Sequence, residues 1–169
     1  MQLGTGTDIL KTVTPVEVKS VGFWRIKFIA AGYHSACISV DGELFLWGKG
    51  IFGEYPYPQK ILTISNPVIE VSLGKSISTA IDDQGLAWTW GSNKYGEIGV
   101  GDYEPRIHPF PLLNLKGKTV TKVCSGDQFT ICLGKKIKKE IPNLNLTTAE
   151  AAARQDHSYE QVEEARDQQ

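Results

Sequence analysis

The 169 residues suffice for one domain and little more. With 41% apolar and 22% charged side chains they fit a folding sequence, not a disordered one. A formal net charge of -1 disfavours both a strongly basic nucleic-acid binder and a polybasic membrane binder.

No apolar run approaches the roughly 20 residues of a membrane span. Met1 to Thr14 shows no basic segment leading into an apolar core, so no secretory signal is expected. Cys37, Cys124 and Cys132 form no C-x-x-C pair, which disfavours a disulfide framework or a zinc site and points to a reducing compartment. Glycine stops at Gly134, and residues 147–169 hold 2 basic and 6 acidic side chains. The chain therefore divides into a β-rich body, residues 1–142, and an acidic helical tail, residues 143–169.

In chain order, Gln2-Leu3-Gly4-Thr5-Gly6 comes first, a glycine turn with a counterpart further on. Candidate strands follow at Trp24–Ala30, Ser35–Val40 and Glu43–Trp47. The last two flank Asp41-Gly42, a strong hairpin signal because glycine tolerates the positive φ of the turn. Trp47-Gly48 closes this group. The next segment, Gly53-Glu54-Tyr55-Pro56, starts as a glycine turn and is cut short, so Tyr55-Pro56-Tyr57-Pro58 is expected to be a rigid aromatic loop. The pattern then recurs. Candidate strands lie at Val68–Leu73, Ser78–Ile81 and Leu86–Trp90, with Gln84-Gly85 as the turn and Trp90-Gly91 as the close. Gly96-Glu97-Ile98-Gly99-Val100-Gly101-Asp102 is the counterpart of residues 1–6, and candidate strands Thr119–Cys124 and Phe129–Leu133 begin a third unit.

Three segments superpose: Ala30 to Ile38, Leu73 to Ile81, and Ser125 to Leu133. In this register Ala31, Gly74 and Gly126 coincide. Cys37, Ala80 and Cys132 coincide as well, at a spacing of 43 and then 52 residues. Each unit reads as a Gly-rich loop, a strand ending near Pro, a strand entering a glycine, a strand with small residues, a turn, and a strand ending Trp-Gly. Four strands per unit, packed radially so that sheets bury one another's faces, is the blade of a β-propeller. The expected fold is all-β, a partial propeller of about three four-stranded blades with a C-terminal α-helix.

The run from Gly91 to Asp102, the V-x-x-V-x-x-G strands, the Asp-Gly turn and Trp-Gly together resemble the regulator of chromosome condensation repeat. The likeness covers residues 1 to 134. It implies a seven-bladed ring of roughly 350 residues at about 50 per blade. This chain has room for about three blades, so the resemblance implies that other protein subunits, or a larger propeller, cover the open ends. It further implies a non-catalytic scaffold whose loop faces bind proteins in signalling, ciliary or cytoskeletal assemblies, inside the cell. Exchange of guanine nucleotide on a Ran-like small GTPase, and chromatin binding in the nucleus, are the alternatives it raises.

No residue is assigned to catalysis, to a cofactor or to a metal. Gly48-Lys49-Gly50-Ile51-Phe52-Gly53 spells a dinucleotide motif, but Tyr55-Pro56-Tyr57-Pro58 cannot open the helix that such a site needs. His34, His108 and His157 share no ligand spacing, and His34 aligns with Ile77 and Phe129, which favours a structural role. Trp47 and Trp90 are periodic with the blade and are expected in the core, with Trp88 beside Trp90. Trp24, Tyr55 and Tyr57 are the aromatic candidates for partner binding. Lys135, Lys136, Lys138 and Lys139 form the one basic cluster, read first as a solvated edge and second as a contact for phosphate or an acidic partner. Thr147 and Glu150 form a capping box for the tail helix, whose apolar stripe holds Tyr159 and Val162 and suits a linker or docking element.

Overall fold

The computed structural model describes residues 1–7, 11–50 and 53–136. Among these residues ten strands form three antiparallel sheets. The first sheet holds β1 (Ile26–Ala31), β2 (Ser35–Ser39), β3 (Leu44–Gly50) and β4 (Gly53–Lys60), in that spatial order. The second repeats it with β5 (Val68–Leu73), β6 (Ile77–Asp82), β7 (Ala87–Gly91) and β8 (Arg106–Pro111). The third contains only β9 (Lys118–Ser125) and β10 (Thr130–Lys136). The expectation of three four-stranded blades is thus corrected to two complete blades and the first two strands of a third among the described residues. The tail helix, and with it Tyr159 and Val162, lies outside the described residues.

The first strand of each blade carries the same apolar spacing: Ile26-x-x-Ile29, Val68-x-x-Val71 and Val120-x-x-Val123. Each strand also breaks register inside that motif, between Ile26 and Phe28, Val68 and Glu70, and opposite Leu133/Gly134 in the third. The extra residue of a bulge lets both apolar side chains face the same way despite an odd spacing. That shared irregularity explains the imperfect alternation in these strands.

Two elements correct the sequence reading. Gly53–Lys60, which contains Tyr55-Pro56-Tyr57-Pro58, is a strand paired with β3 and not a loop. Arg106–Pro111 is likewise a strand, the unit's strand ending near Pro. Both are outer-edge strands. Proline lacks the N–H that a central position would require, and an outer edge tolerates that loss.

The repeat register shifts at one point. β1 ends at Ala31 opposite Ser35, β5 at Leu73 opposite Ser78, and β9 at Ser125 opposite Thr130. The following glycines, Gly32, Gly74 and Gly126, are therefore equivalent, and Ala31 corresponds to Leu73. The first turn is one residue shorter than the others. These glycines mark the closest approach of neighbouring blades. A Cβ on Gly32 would press on the carbonyl of Leu73, and one on Gly74 would collide with the carbonyl of Gly126.

Apolar side chains fill the seams between blades. Ala36, Ile38, Leu44 and Leu46 of the first blade pack with Val68, Val71, Ala80, Trp88 and Trp90 of the second. Ile81, Ala87 and Leu112 of the second pack with Val120 and Val123 of the third. The other face of the first blade carries Cys37, Phe45 and Trp47. It is covered by the chain's own N-terminal segment through Val21 and Trp24. Burial raises the Cys37 thiol to about 11, so it stays protonated as a small core residue.

Candidate functional site

Polar bonds repeat across the seams with the same period as the core. The carbonyls of the turn glycines Gly42 (φ 86°) and Gly85 (φ 76°) accept from the next blade: Val68 N donates to Gly42 O at 2.8 Å, and Val120 N donates to Gly85 O at 2.9 Å. His34 is buried, and its Nε2 lies 2.8 Å from Ser78 Oγ across the first seam. Burial lowers its pKa to about 4, so it is neutral at pH 7 and acts as a structural pin. Across the second seam the Thr79 and Ser125 hydroxyls meet at 2.9 Å, both buried.

The glycine loops make a second repeated contact, a plug in a socket. Residues Met1–Gly6 dock on the first blade. The main-chain oxygen of Gln2 accepts from Trp47 Nε1 and from Ser35 Oγ, both at 2.9 Å. Gly4 lies on the indole, where a Cβ would come within 2.7 Å of Trp47 Nε1. Gly6 N bonds Pro56 O at 3.1 Å. Socket residues Ser35 and Trp47 recur in the second blade as Ser78 and Trp90.

Among the described residues no loop fills that second socket. The first blade goes from β3 to β4 with only residues 51 and 52 between the strands, so it lacks the plug loop. Trp90 is buried, and its Nε1 has no hydrogen-bond partner among the described residues. Ser78 pairs with His34 instead.

The second blade does carry a plug loop, between β7 and β8. Asn93 is buried at its centre and holds it shut, with Nδ2 donating to the main-chain oxygens of Asp102 and Glu104, each at 2.9 Å. Glu97 accepts from Tyr95 N at 2.7 Å and from Ser92 Oγ at 2.8 Å. Burial raises the Glu97 pKa, but the hydrogen bonds outweigh it, and the carboxyl sits below its ordinary range. Gly96, Gly99 and Gly101 all take positive φ. Unlike Gly4 and Gly6, these glycines face little: a Cβ on Gly99 would meet Leu112 at 3.8 Å, and one on Gly101 would meet nothing within 4 Å.

Among the described residues nothing packs on the far face of the third blade. Ile131 and Leu133 on β10 are 58% and 63% exposed, whereas Ile38 and Ile81, the equivalents of Leu133, are fully buried under the next blade. At the front, Ile29 is 77% exposed where its counterpart Val71 is 3%.

Trp47, Trp88 and Trp90 lie in the core as expected. Trp24 is half-buried, its ring 4.8 Å from that of Phe45, and so caps the first blade. Tyr55 packs into the core from β4, and Tyr57 is exposed beside Gly6. Lys135 and Lys136 are exposed at the end of β10, and Lys138 and Lys139 lie outside the described residues. The structure does not bring these candidates into one patch. Sequence reasoning missed Ile29, Ile131 and Leu133. Aligning them with Val71, Thr79 and Ile81 and asking which partner blade covers each would have found them. Among the described residues no group of three or more His, Cys, Asp or Glu is placed to hold a metal ion, and no helix is long and apolar enough to cross a membrane.

A family model described as the regulator of chromosome condensation (RCC1) repeat matches residues 84–133. The mitochondrial RCC1 domain-containing protein RUG3 of Arabidopsis thaliana is 30% identical over 139 residues, covering 73% of this chain and 31% of the relative. The crystal structure of human WBSCR16 superposes with a TM-score of 0.69 at 24% identity, over 80% of this chain and 37% of that one. Prp20p of Saccharomyces cerevisiae gives 0.61 at 23% identity, over 80% and 35%. The chain thus spans about a third of the length of each of these proteins. Two blades repeat the same strands, turns and seam contacts, and residues 84–133, which span the end of the second blade and the start of the third, match the regulator of chromosome condensation repeat.

Proposed function

We propose that this chain is a non-catalytic protein-interaction module whose open blade faces are completed by other protein subunits. One observation carries the reading. The third blade presents Ile131 and Leu133 to solvent at positions that the same chain buries twice elsewhere. Leaving such a face in water forgoes about 25 cal/mol for each Å² of apolar surface that a partner would cover. The assemblies to search are those of the cytoplasm, cytoskeleton and cilium.

The test is native mass spectrometry of the protein purified from its own cells. Added protein chains, cross-linked through residues 129–136, are expected. A bare monomer at micromolar concentration, without cross-links, sinks the reading.

A second reading follows from the shared fold. Prp20p is described by its binding properties to Gsp1p and histones. Applied here, it predicts faster nucleotide release from a Ran-like GTPase, or nucleosome binding that weakens with salt and on neutralising Lys135 and Lys136. A release assay without acceleration removes the first, and salt-independent or absent nucleosome binding removes the second.

A further inference from the structure

We propose that the open edge of β10, together with the Asn93–Asp102 loop, is a docking slot for an extended strand of another protein that ends in Trp-Gly. The inference rests on the interaction reading above and names the partner's chemistry.

The two complete blades show what belongs in the slot. In the first, β2 pairs with β3, and Ser35 lies opposite Trp47. In the second, Ser78 lies opposite Trp90. β10 is the equivalent of β2 and β6, yet among the described residues no strand pairs with its outer edge. The chain supplies Asp41-Gly42 and Gln84-Gly85 to turn into the third strand. At the matching place it has Lys136-Ile137, and β10 runs on through Lys136 without turning. The edge is therefore available for strand addition, in which main-chain hydrogen bonds give affinity and side-chain pockets give specificity.

Three features specify the incoming strand. Thr130 stands where Ser35 and Ser78 stand, and its hydroxyl is buried without a hydrogen-bond partner among the described residues. The plug loop from the second blade is preformed around Asn93, and the space where a Cβ on Gly99 would stand has no neighbour closer than Leu112, at 3.8 Å. In the first blade the equivalent carbonyl, that of Gln2, accepts from the indole of Trp47 and the hydroxyl of Ser35 together. The main-chain oxygen of Glu97 and the hydroxyl of Thr130 are thus the pair that an incoming tryptophan completes. Charge sets the direction. An antiparallel strand with its tryptophan opposite Thr130 starts beside Gly134–Lys136. In the first blade that start is Asp41-Gly42-Glu43, and Glu43 is paired there with Lys60 at 2.6 Å. Lys135 and Lys136 favour acidic residues in the partner's turn.

Residues 137–169 contain no tryptophan. A second copy has none to give either, because its Trp47 and Trp90 are buried in its own blades.

The probe is a synthetic peptide with the sequence of residues 41–48, Asp-Gly-Glu-Leu-Phe-Leu-Trp-Gly, added to the full chain. Amide hydrogen exchange at residues 130–136 is expected to slow. A Phe-for-Trp peptide should bind about fivefold more weakly, the worth of one hydrogen bond. Leu133→Asp, an exposed change checked for folding by circular dichroism, should also weaken the peptide. Exchange at 130–136 that the peptide leaves unchanged, or equal binding of the Phe and Trp peptides, overturns the proposal. So does protection of this edge before any peptide is added, which assigns it to the chain's own residues 137–169. Partner chains found by native mass spectrometry while the peptide fails would remove the strand-addition and leave the interaction reading standing.

Discussion

Two tryptophans with the same place in the repeat differ by one hydrogen bond. Trp47 Nε1 donates to Gln2 O at 2.9 Å, and Trp90 Nε1 has no acceptor among the described residues. A net hydrogen bond stabilises by about 1 kcal/mol, and an unpaired buried donor costs about 1–3 kcal/mol. Replacing Trp by Phe removes the donor in each case. Trp47→Phe is therefore expected to destabilise more than Trp90→Phe, by about 1 kcal/mol or more, in paired chemical-denaturation curves. The reverse order would mean that the lost ring volume at Trp90, the more buried of the two, outweighs the donor. That both residues are core was legible from their spacing of 43 and the shared Trp-Gly ending. The missing acceptor was visible only as the shortened segment after Gly53, and its consequence for Trp90 lies in a neighbouring blade that sequence order does not reveal.

Strand position was easier to read than strand identity, for physical reasons. β5 begins and ends where its β-branched run predicts, at Val68 and Leu73. β4 and β8 hold two prolines each, Pro56 with Pro58 and Pro109 with Pro111, and such strands form only because they pair on one side. The hairpins between strands carry more than their turn. Gly42 and Gly85 take positive φ, and each also accepts a backbone bond from the following blade. A Cβ on Gly85 would collide with the Thr119 side chain, and one on Gly42 with Pro67. Gly85→Ala thus adds steric contact to backbone strain, and about 2 kcal/mol of destabilisation is expected. Thermal unfolding of Gly85→Ala beside Gly117→Ala separates the two effects. Gly117 also has positive φ, 81°, but a Cβ there meets nothing within 4 Å. Gly117→Ala should cost about 1 kcal/mol from strain alone; equal losses at both sites would remove the seam contribution.

Across the whole molecule each blade buries its neighbour, so the energetics of a side chain depend on which seam it joins. Ile81 fills the seam between second and third blades with Val120 and Val123. Leu133 has the same place in its own blade, and among the described residues no next blade meets it, at 63% exposure. The two residues test whether the third blade ends the packed arc of the described residues. Ile81→Ala should cost about 2–5 kcal/mol, as for a buried aliphatic side chain. Leu133→Ala should change stability by about 0.5 kcal/mol or less, as for a surface position. A large loss at Leu133 in the isolated chain would show that something already covers β10, whether residues 137–169 or a second copy. The concentration dependence of that loss separates them, since only burial against a second copy follows mass action. If the loss is small alone and large once a partner is bound, Leu133 belongs to an interface, and the face that the first two blades bury within the chain is in the third blade reserved for another protein.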